Sequence, residues 1–229
     1  MKVTDTNWMQ LADYLKNDDR AVIPLGSTEQ HGYLSLGTDL ILAERVAQEA
    51  AEPLGVPVFP VVAYGITPYF RAFPGSVSMR VSTYVNVIAD ILDSLAGEGF
   101  KRFLLVNGHG GNSPAGSVAP EWMASHPGTR VVLHNWWNAP RTLEAVRAVD
   151  ELGAHGSWME NFPWTRVATA PVGVKPLIDI KRMQSVPPTE GREIVGDGNF
   201  GGAYEKPDED MLRIWQAGVE ETREAINGL

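Results

Sequence analysis

Glu29, His31 and Asp39 crowd one short stretch of the sequence, AVIPLGSTEQHGYLSLGTD at 21–39. Glu29 and His31 are two residues apart, so in extended backbone they point to the same side. Carboxylate oxygens and an imidazole nitrogen suit a divalent cation such as Zn2+ or Mn2+. The same trio is also what a solvated, hydrogen-bonded loop contains, and one loop cannot complete a metal site. Two further stretches offer the missing donors: NGHGGN at 107–112 brings His109, and AHGSWME at 154–160 brings His155 and Glu160. Of five histidines, these three lie in glycine-flanked loops, whereas His126 and His134 sit in ordinary contexts, His134 reading as a strand-end residue. Together they give two or three imidazoles and three carboxylates, enough for two cations that share one bridging Asp.

Elements that would position these groups follow from the hydrophobic pattern. Apolar runs of strand length occur at 21–25, 58–62, 103–106, 130–134 and 167–172. Helical periods of 3.6 appear over 6–15, 38–50, 82–95, 115–124, 141–149 and from 208 onward, so strands and helices alternate as in an α/β protein. In such folds ligands bind in loops beyond the carboxyl ends of the strands, where Glu29, His31 and His109 fall. Trp8, Leu11, Ala12 and Leu15 mark an amphipathic first helix over the sheet; Thr38 or Asp39 caps the second, fixing the Asp39 carboxylate beside the first strand. Ser157 opens a helix that places Glu160 in its first turn. The final helix turns Met211, Leu212, Trp215, Val219 and Ile226 inward. The aperiodic stretch 63–80, rich in Gly, Pro and aromatics, reads as a substrate loop or as a connection pinned by packed rings. Residues 179–204 read as a turn-rich surface excursion.

Composition narrows the function classes. With 44% hydrophobic and 21% charged residues, the 229-residue chain has the make-up of a globular protein and the length of a single domain, 1–229. Its 19 Lys and Arg against 28 Asp and Glu give a charge of −9, and no basic run is present, which argues against nucleic acid and anionic membranes. The absence of cysteine excludes disulfides, thiolate zinc sites and a Cys nucleophile. No apolar run reaches a membrane span and the N-terminus lacks a signal-like core, so a cytoplasmic protein is expected. The glycine-rich turn at 107–112 could also cradle a phosphate, but it lacks a P-loop Lys, and no complete G-x-G-x-x-G supports a dinucleotide site.

Taken in order, PLGSTEQHG with LGTD at 24–39, FPGSVS at 73–78, LLVNGHGGN at 104–112 and the H-x-x-x-x-E of 155–160 resemble the creatininase (creatinine amidohydrolase) family across nearly the whole chain. The resemblance implies a three-layer α/β/α sandwich with a mainly parallel sheet, a two-metal hydrolytic centre holding Zn2+ or Mn2+, with Fe2+ as a further candidate, and a homo-oligomer, commonly a hexamer. It makes Glu29, Asp39 and His109 ligands of one metal and His31, Asp39 and Glu160 ligands of the other. It also makes His155, with Glu160, the catalytic residue that handles protons. Where the family usually has H-G-P-H-L-P-L, this chain has the shorter HGYLSL, and the usual H-A-G-E-x-E-T-S is HGSWMENF. Gly110 and Gly111 stand where creatinine hydrolases proper tend to carry Tyr and Glu. The metal positions survive these changes and the pocket wall does not.

The expected activity is hydrolysis of a small polar amide, lactam or related cyclic carbonyl compound by metal-activated water. Other family substrates remain open: a formamide of a pyrimidine nucleotide, a modified peptide, or an oxidised cyclitol such as a keto-inositol. A non-catalytic metal-binding subunit is the alternative from another class. Ser76, Asn112, Trp158 and Tyr69 are the candidate substrate contacts.

Overall fold

The sheet is built from residues that have no reason to face water. The computed structural model describes residues 1–229. β1 (Arg20–Leu25), β2 (Arg102–Asn107) and β3 (Arg130–Asn135) lie side by side in the order β1-β2-β3, both pairs parallel. In β1 and β2 every residue after the leading Arg is buried, as expected of parallel strands covered on both faces. Successive side chains alternate between the layers. Val22, Leu104 and Val106 enter one core with α2 (Thr38–Ala51) and α8 (Asp208–Asn227), and α5 (Pro140–Val149) contributes Val146 to it. Ala21, Ile23, Leu25, Phe103 and Leu105 enter the other with α3 (Val81–Glu98) and α4 (Ala115–Ser125). The result is the α/β/α layering that the family resemblance implies, with the carboxyl ends of β1 and β2 opening on one side.

Several local expectations are corrected. The run 58–62 is not a continuous strand: Pro57 and Pro60 offer no N–H, so it pairs with β1 only through bonds such as Phe59 N to Val22 O (2.9 Å) and Val62 N to Pro24 O (3.0 Å). The run 167–172 forms no strand and leaves Val172 98% exposed, because it crosses the surface with no neighbour to pair with and carries Pro171. α1 (Trp8–Tyr14), capped by Asn7, buries no residue; only its end, Tyr14 with the following Leu15, reaches the core, and Trp8 stays exposed. The cap of α2 is Gly37, since Thr38 Oγ1 donates to Ser35 O (2.7 Å) and Asp39 turns away to the site. Ser157 opens a 3₁₀ turn, Trp158–Glu160, rather than an α-helix. In α8 Leu212 faces outward, while the other four predicted residues are buried.

The excursion 179–204 is more ordered than its turn residues suggest. It folds into α6 (Ile180–Gln184) and α7 (Pro188–Val195), and β5 (Gly202–Ala203) pairs with β4 (Val174–Lys175). Met183, Val195 and Phe200 bury themselves against Phe70 of the 63–80 stretch. No helix is long and apolar enough to cross a membrane.

Candidate metal centre

Three segments converge beyond the strand ends. β1 runs into the loop bearing Glu29 and His31, the first turn of α2 presents Asp39, and β2 runs into His109. Close packing of backbone makes this possible: a Cβ on Gly111 would lie 2.0 Å from Ile66 O and 2.4 Å from His109 Nε2, so no side chain fits there. A Glu at 111 would therefore require the Ile66 carbonyl and the His109 ring to move, whereas position 110 is open.

Each histidine of the cluster spends one ring nitrogen on a backbone carbonyl and aims the other inward. His31 Nδ1 donates to Glu29 O (3.1 Å), leaving Nε2 3.0 Å from Asp39 Oδ1 and 3.9 Å from Glu160 Oε2. His109 Nε2 donates to Ile66 O (3.0 Å), leaving Nδ1 3.1 Å from Asp39 Oδ2 and 3.3 Å from Glu29 Oε1. His155 Nε2 donates to Gln30 O (2.8 Å), and its Nδ1 lies 3.9 Å from Glu29 Oε1. A carbonyl can only accept, which puts a proton on each bonded nitrogen, although Gln30 Nε2 also lies 3.0 Å from His155 Nε2; a histidine anchored through its far nitrogen is the usual arrangement of a metal ligand. Ser27 Oγ donates to Glu29 Oε2 (2.8 Å), and Gly156 N donates to Glu160 Oε2 (2.6 Å).

Donor atoms within 4.8 Å of one another form three groups: Glu29, Asp39 and His109; His31, Asp39 and Glu160; and Glu29, His31 and His155. Glu29 Oε1 and Asp39 Oδ2 are buried, and the one group within reach of both is His109 Nδ1, at 3.3 and 3.1 Å. Two buried carboxylates that share a single imidazole nitrogen are costly unless a cation meets them. The donor set therefore fits divalent metal in both chemistry and arrangement.

The electrostatics agree. Burial alone would lower the pKa of His31, yet the charges of Asp39 and then Glu160 raise it to about 10. His109 is likewise held well above its ordinary value, burial being outweighed by Glu29 and Asp39. Burial would raise Asp39, but the charge of His31 and the hydrogen bond to His109 hold it well below the usual carboxylate range. Burial pushes Glu160 up to about 7. His155 goes the other way, kept neutral by burial and then by the positive charge of His31. Without metal, then, protons on His31 and His109 supply the positive charge that the carboxylates demand.

The cluster forms the floor of a cavity of about 360 Å³. Tyr69 lines it; Ser76, Asn112 and Trp158 do not. Ser76 Oγ accepts from Gln30 N (3.0 Å), Asn112 ties Gly26 O to Asn107, and Trp158 is fully buried with Nε1 bound to Leu152 O (2.8 Å). The remaining histidines stay apart: His134 bonds Thr222, and His126 stacks on Trp122. Sequence reasoning missed Gln30, which anchors His155, and the wall residues Trp137, Leu143, Met159, Gln184 and Phe200. Only the glycines around Phe200 signalled that backbone there approaches something closely.

Fold and site together define an α/β protein with a buried histidine and carboxylate cluster at the carboxyl ends of its parallel strands. The family model described as Creatinine amidohydrolase matches residues 4–226, and the chain belongs to this creatininase family. Among characterised relatives, a 3-dehydro-scyllo-inosose hydrolase of Thermotoga maritima is 33% identical over 103 residues, 44% of this chain and 33% of that protein. A mycofactocin precursor peptide peptidase of Mycolicibacterium smegmatis is 39% identical over 105 residues, 43% and 42% of the two chains. The creatinine amidohydrolase of Pseudomonas putida is 34% identical over 98 residues, 40% and 38%. These matches span only a third to about two fifths of the relatives' lengths. In three dimensions a creatinine amidohydrolase crystal structure superposes with a TM-score of 0.78 at 22% identity, covering 99% of this chain and 96% of the other. A creatininase mutant of Zn-Zn type gives 0.77 at 22% identity, covering 99% and 97%.

Proposed function

We propose that this chain hydrolyses an amide C–N bond with two divalent cations, Zn2+ or Mn2+, one held by Glu29, Asp39 and His109 and the other by His31, Asp39 and Glu160. The observation that carries the reading is the convergence of buried Glu29 and Asp39 oxygens, with His109 Nδ1 alone between them, on imidazoles whose far nitrogens are already anchored. Family membership supports amide hydrolysis, and relatives described as zinc or manganese creatininases support the choice of cation. Bound cations would supply Lewis acidity and a water acidic enough to act as nucleophile near neutral pH.

The protein's own groups do the rest. Asp39 joins the two ligand groups. His155 is neutral, and with its Nε2–H committed to Gln30 O its basic Nδ1 faces the cluster, where it can take a proton and return it to the departing nitrogen. Phe70 stacks on the His155 ring at 4.8 Å and Phe200 packs against it at the same distance, holding that orientation. Tyr69, whose hydroxyl burial keeps protonated, is an uncharged donor at the cavity wall.

The test is elemental analysis of protein purified without chelator, joined to a panel of small amides and lactams. About two metals per chain, and turnover of a panel member that His155→Ala abolishes without metal loss, is the expected result. Protein that takes up no metal overturns the reading, and metal loss in His155→Ala would move that residue into the ligand set.

A further inference from the structure

The cavity walls say more about the substrate than its floor does. Tyr69, Phe70 and Phe200 make one aromatic wall, mutually packed at 4.6 and 5.7 Å between ring centroids. Leu143 of α5 and Met159 of the 3₁₀ turn add apolar surface. Asn138 and Gln184 are exposed amides on the lining, and none of the lining side chains is Lys or Arg. A phosphate or carboxylate on the substrate away from the reacting bond would be desolvated here with no cation to meet it. Hydroxyl groups of a polyhydroxylated ring that face Leu143, Met159 and Phe200 would find no partner there, since the polar wall groups, Tyr69, Trp137, Asn138 and Gln184, are few. An apolar or aromatic group gains by the same contacts.

We propose that the substrate is an uncharged amide whose group beyond the scissile bond is apolar or aromatic and seats against Leu143, Met159 and Phe200, with Asn138 and Gln184 reading its polar end. The proposal rests on the amidohydrolase reading above and narrows its substrate class. In the reaction the amide C–N bond breaks, a C–O bond forms from water, and a water proton passes to the leaving nitrogen, giving a carboxylic acid and ammonia or an amine.

The experiment measures binding by calorimetry, and hydrolysis in parallel, on the metal-loaded full chain. The probes are phenylacetamide, 4-phosphonooxyphenylacetamide and gluconamide. Phenylacetamide is expected to bind about tenfold or more tightly than either of the others. Asn138→Arg, at an exposed position, should narrow the gap to the phosphorylated probe to about threefold and leave the gap to gluconamide unchanged. Leu143→Ala should weaken phenylacetamide about fivefold. Wild-type protein that binds the phosphorylated or polyhydroxylated probe as well as phenylacetamide overturns the proposal. The binding order without hydrolysis of any amide would sink the amidohydrolase reading and leave the pocket assignment standing; turnover with the reversed order would do the opposite.

Discussion

The two candidate ligand groups share Asp39 but rest on different foundations. Glu29, Asp39 and His109 come from the ends of β1 and β2 and the first turn of α2, all three fully buried, with only sheet and helix core behind them. His31, Asp39 and Glu160 include one carboxylate from a 3₁₀ turn far along the chain, partly exposed and held through Gly156 N. That turn is placed by glycines of separate segments: a Cβ on Gly156 would lie 2.7 Å from Gly198 O, and one on Gly198 would lie 2.6 Å from Gly32 Cα. The first group lies directly beyond the sheet, whereas the second depends also on how the loops around 32, 156 and 198 pack together. Burial of ligands on regular elements gives precision, and loops give adjustability.

Substitutions separate the two. Asp39→Ala should strip both metals, taking content from about two per chain to near zero with loss of all turnover, because it alone belongs to both groups. Retention of one metal would show that the groups are independent. His109→Ala and Glu160→Gln should each leave about one metal, and only the first should leave a loop-built site. Identical metal affinities in these two variants would erase the distinction between sheet-built and loop-built groups. Gly156→Ala is a finer probe. At φ +68° and with Gly198 O in the way, it should weaken the Glu160 site about tenfold and spare the other, as read by metal titration.

The smallest expected effect is on the metal-free protein. His31 has its folded pKa raised from 6.5 to about 10, so its contribution to stability is complete below pH 6.5 and lost as pH rises through 10. Glu160, raised from 4.5 to about 7, acts in the same sense at lower pH. Thermal unfolding of chelated protein should therefore show Tm falling between pH 6.5 and 10, and metal should flatten that slope by replacing the protons. A metal-free Tm that climbs over this range would mean that His31 is not held protonated by Asp39 and Glu160.

Much of this was legible in the chain itself. Strands β1 and β2 announced themselves as apolar runs because parallel strands are buried on both faces, β3 by the shorter VVL, and the helices by their period. What misled was local pattern without a partner: the run at 167–172 has the length and apolar content of a strand, and Trp8 stands at helical spacing, yet neither meets a surface to cover it. Trp158 and Asn112, chosen as substrate contacts for their chemistry and place in sequence, are occupied inside the protein, which no spacing could tell.

Residue type and order by themselves determined an α/β protein of alternating strands and helices and brought Glu29, His31, Asp39, His109, His155 and Glu160 into view, because hydrophobic period and side-chain chemistry are local properties. Tertiary structure alone decided which ring nitrogen each histidine turns inward, since that depends on the carbonyls of Glu29, Gln30 and Ile66. It also decided the cavity wall. Phe200 and Gln184 reach the site only because 179–204 folds back over Phe70, a contact made by burial of apolar surface between segments more than a hundred residues apart.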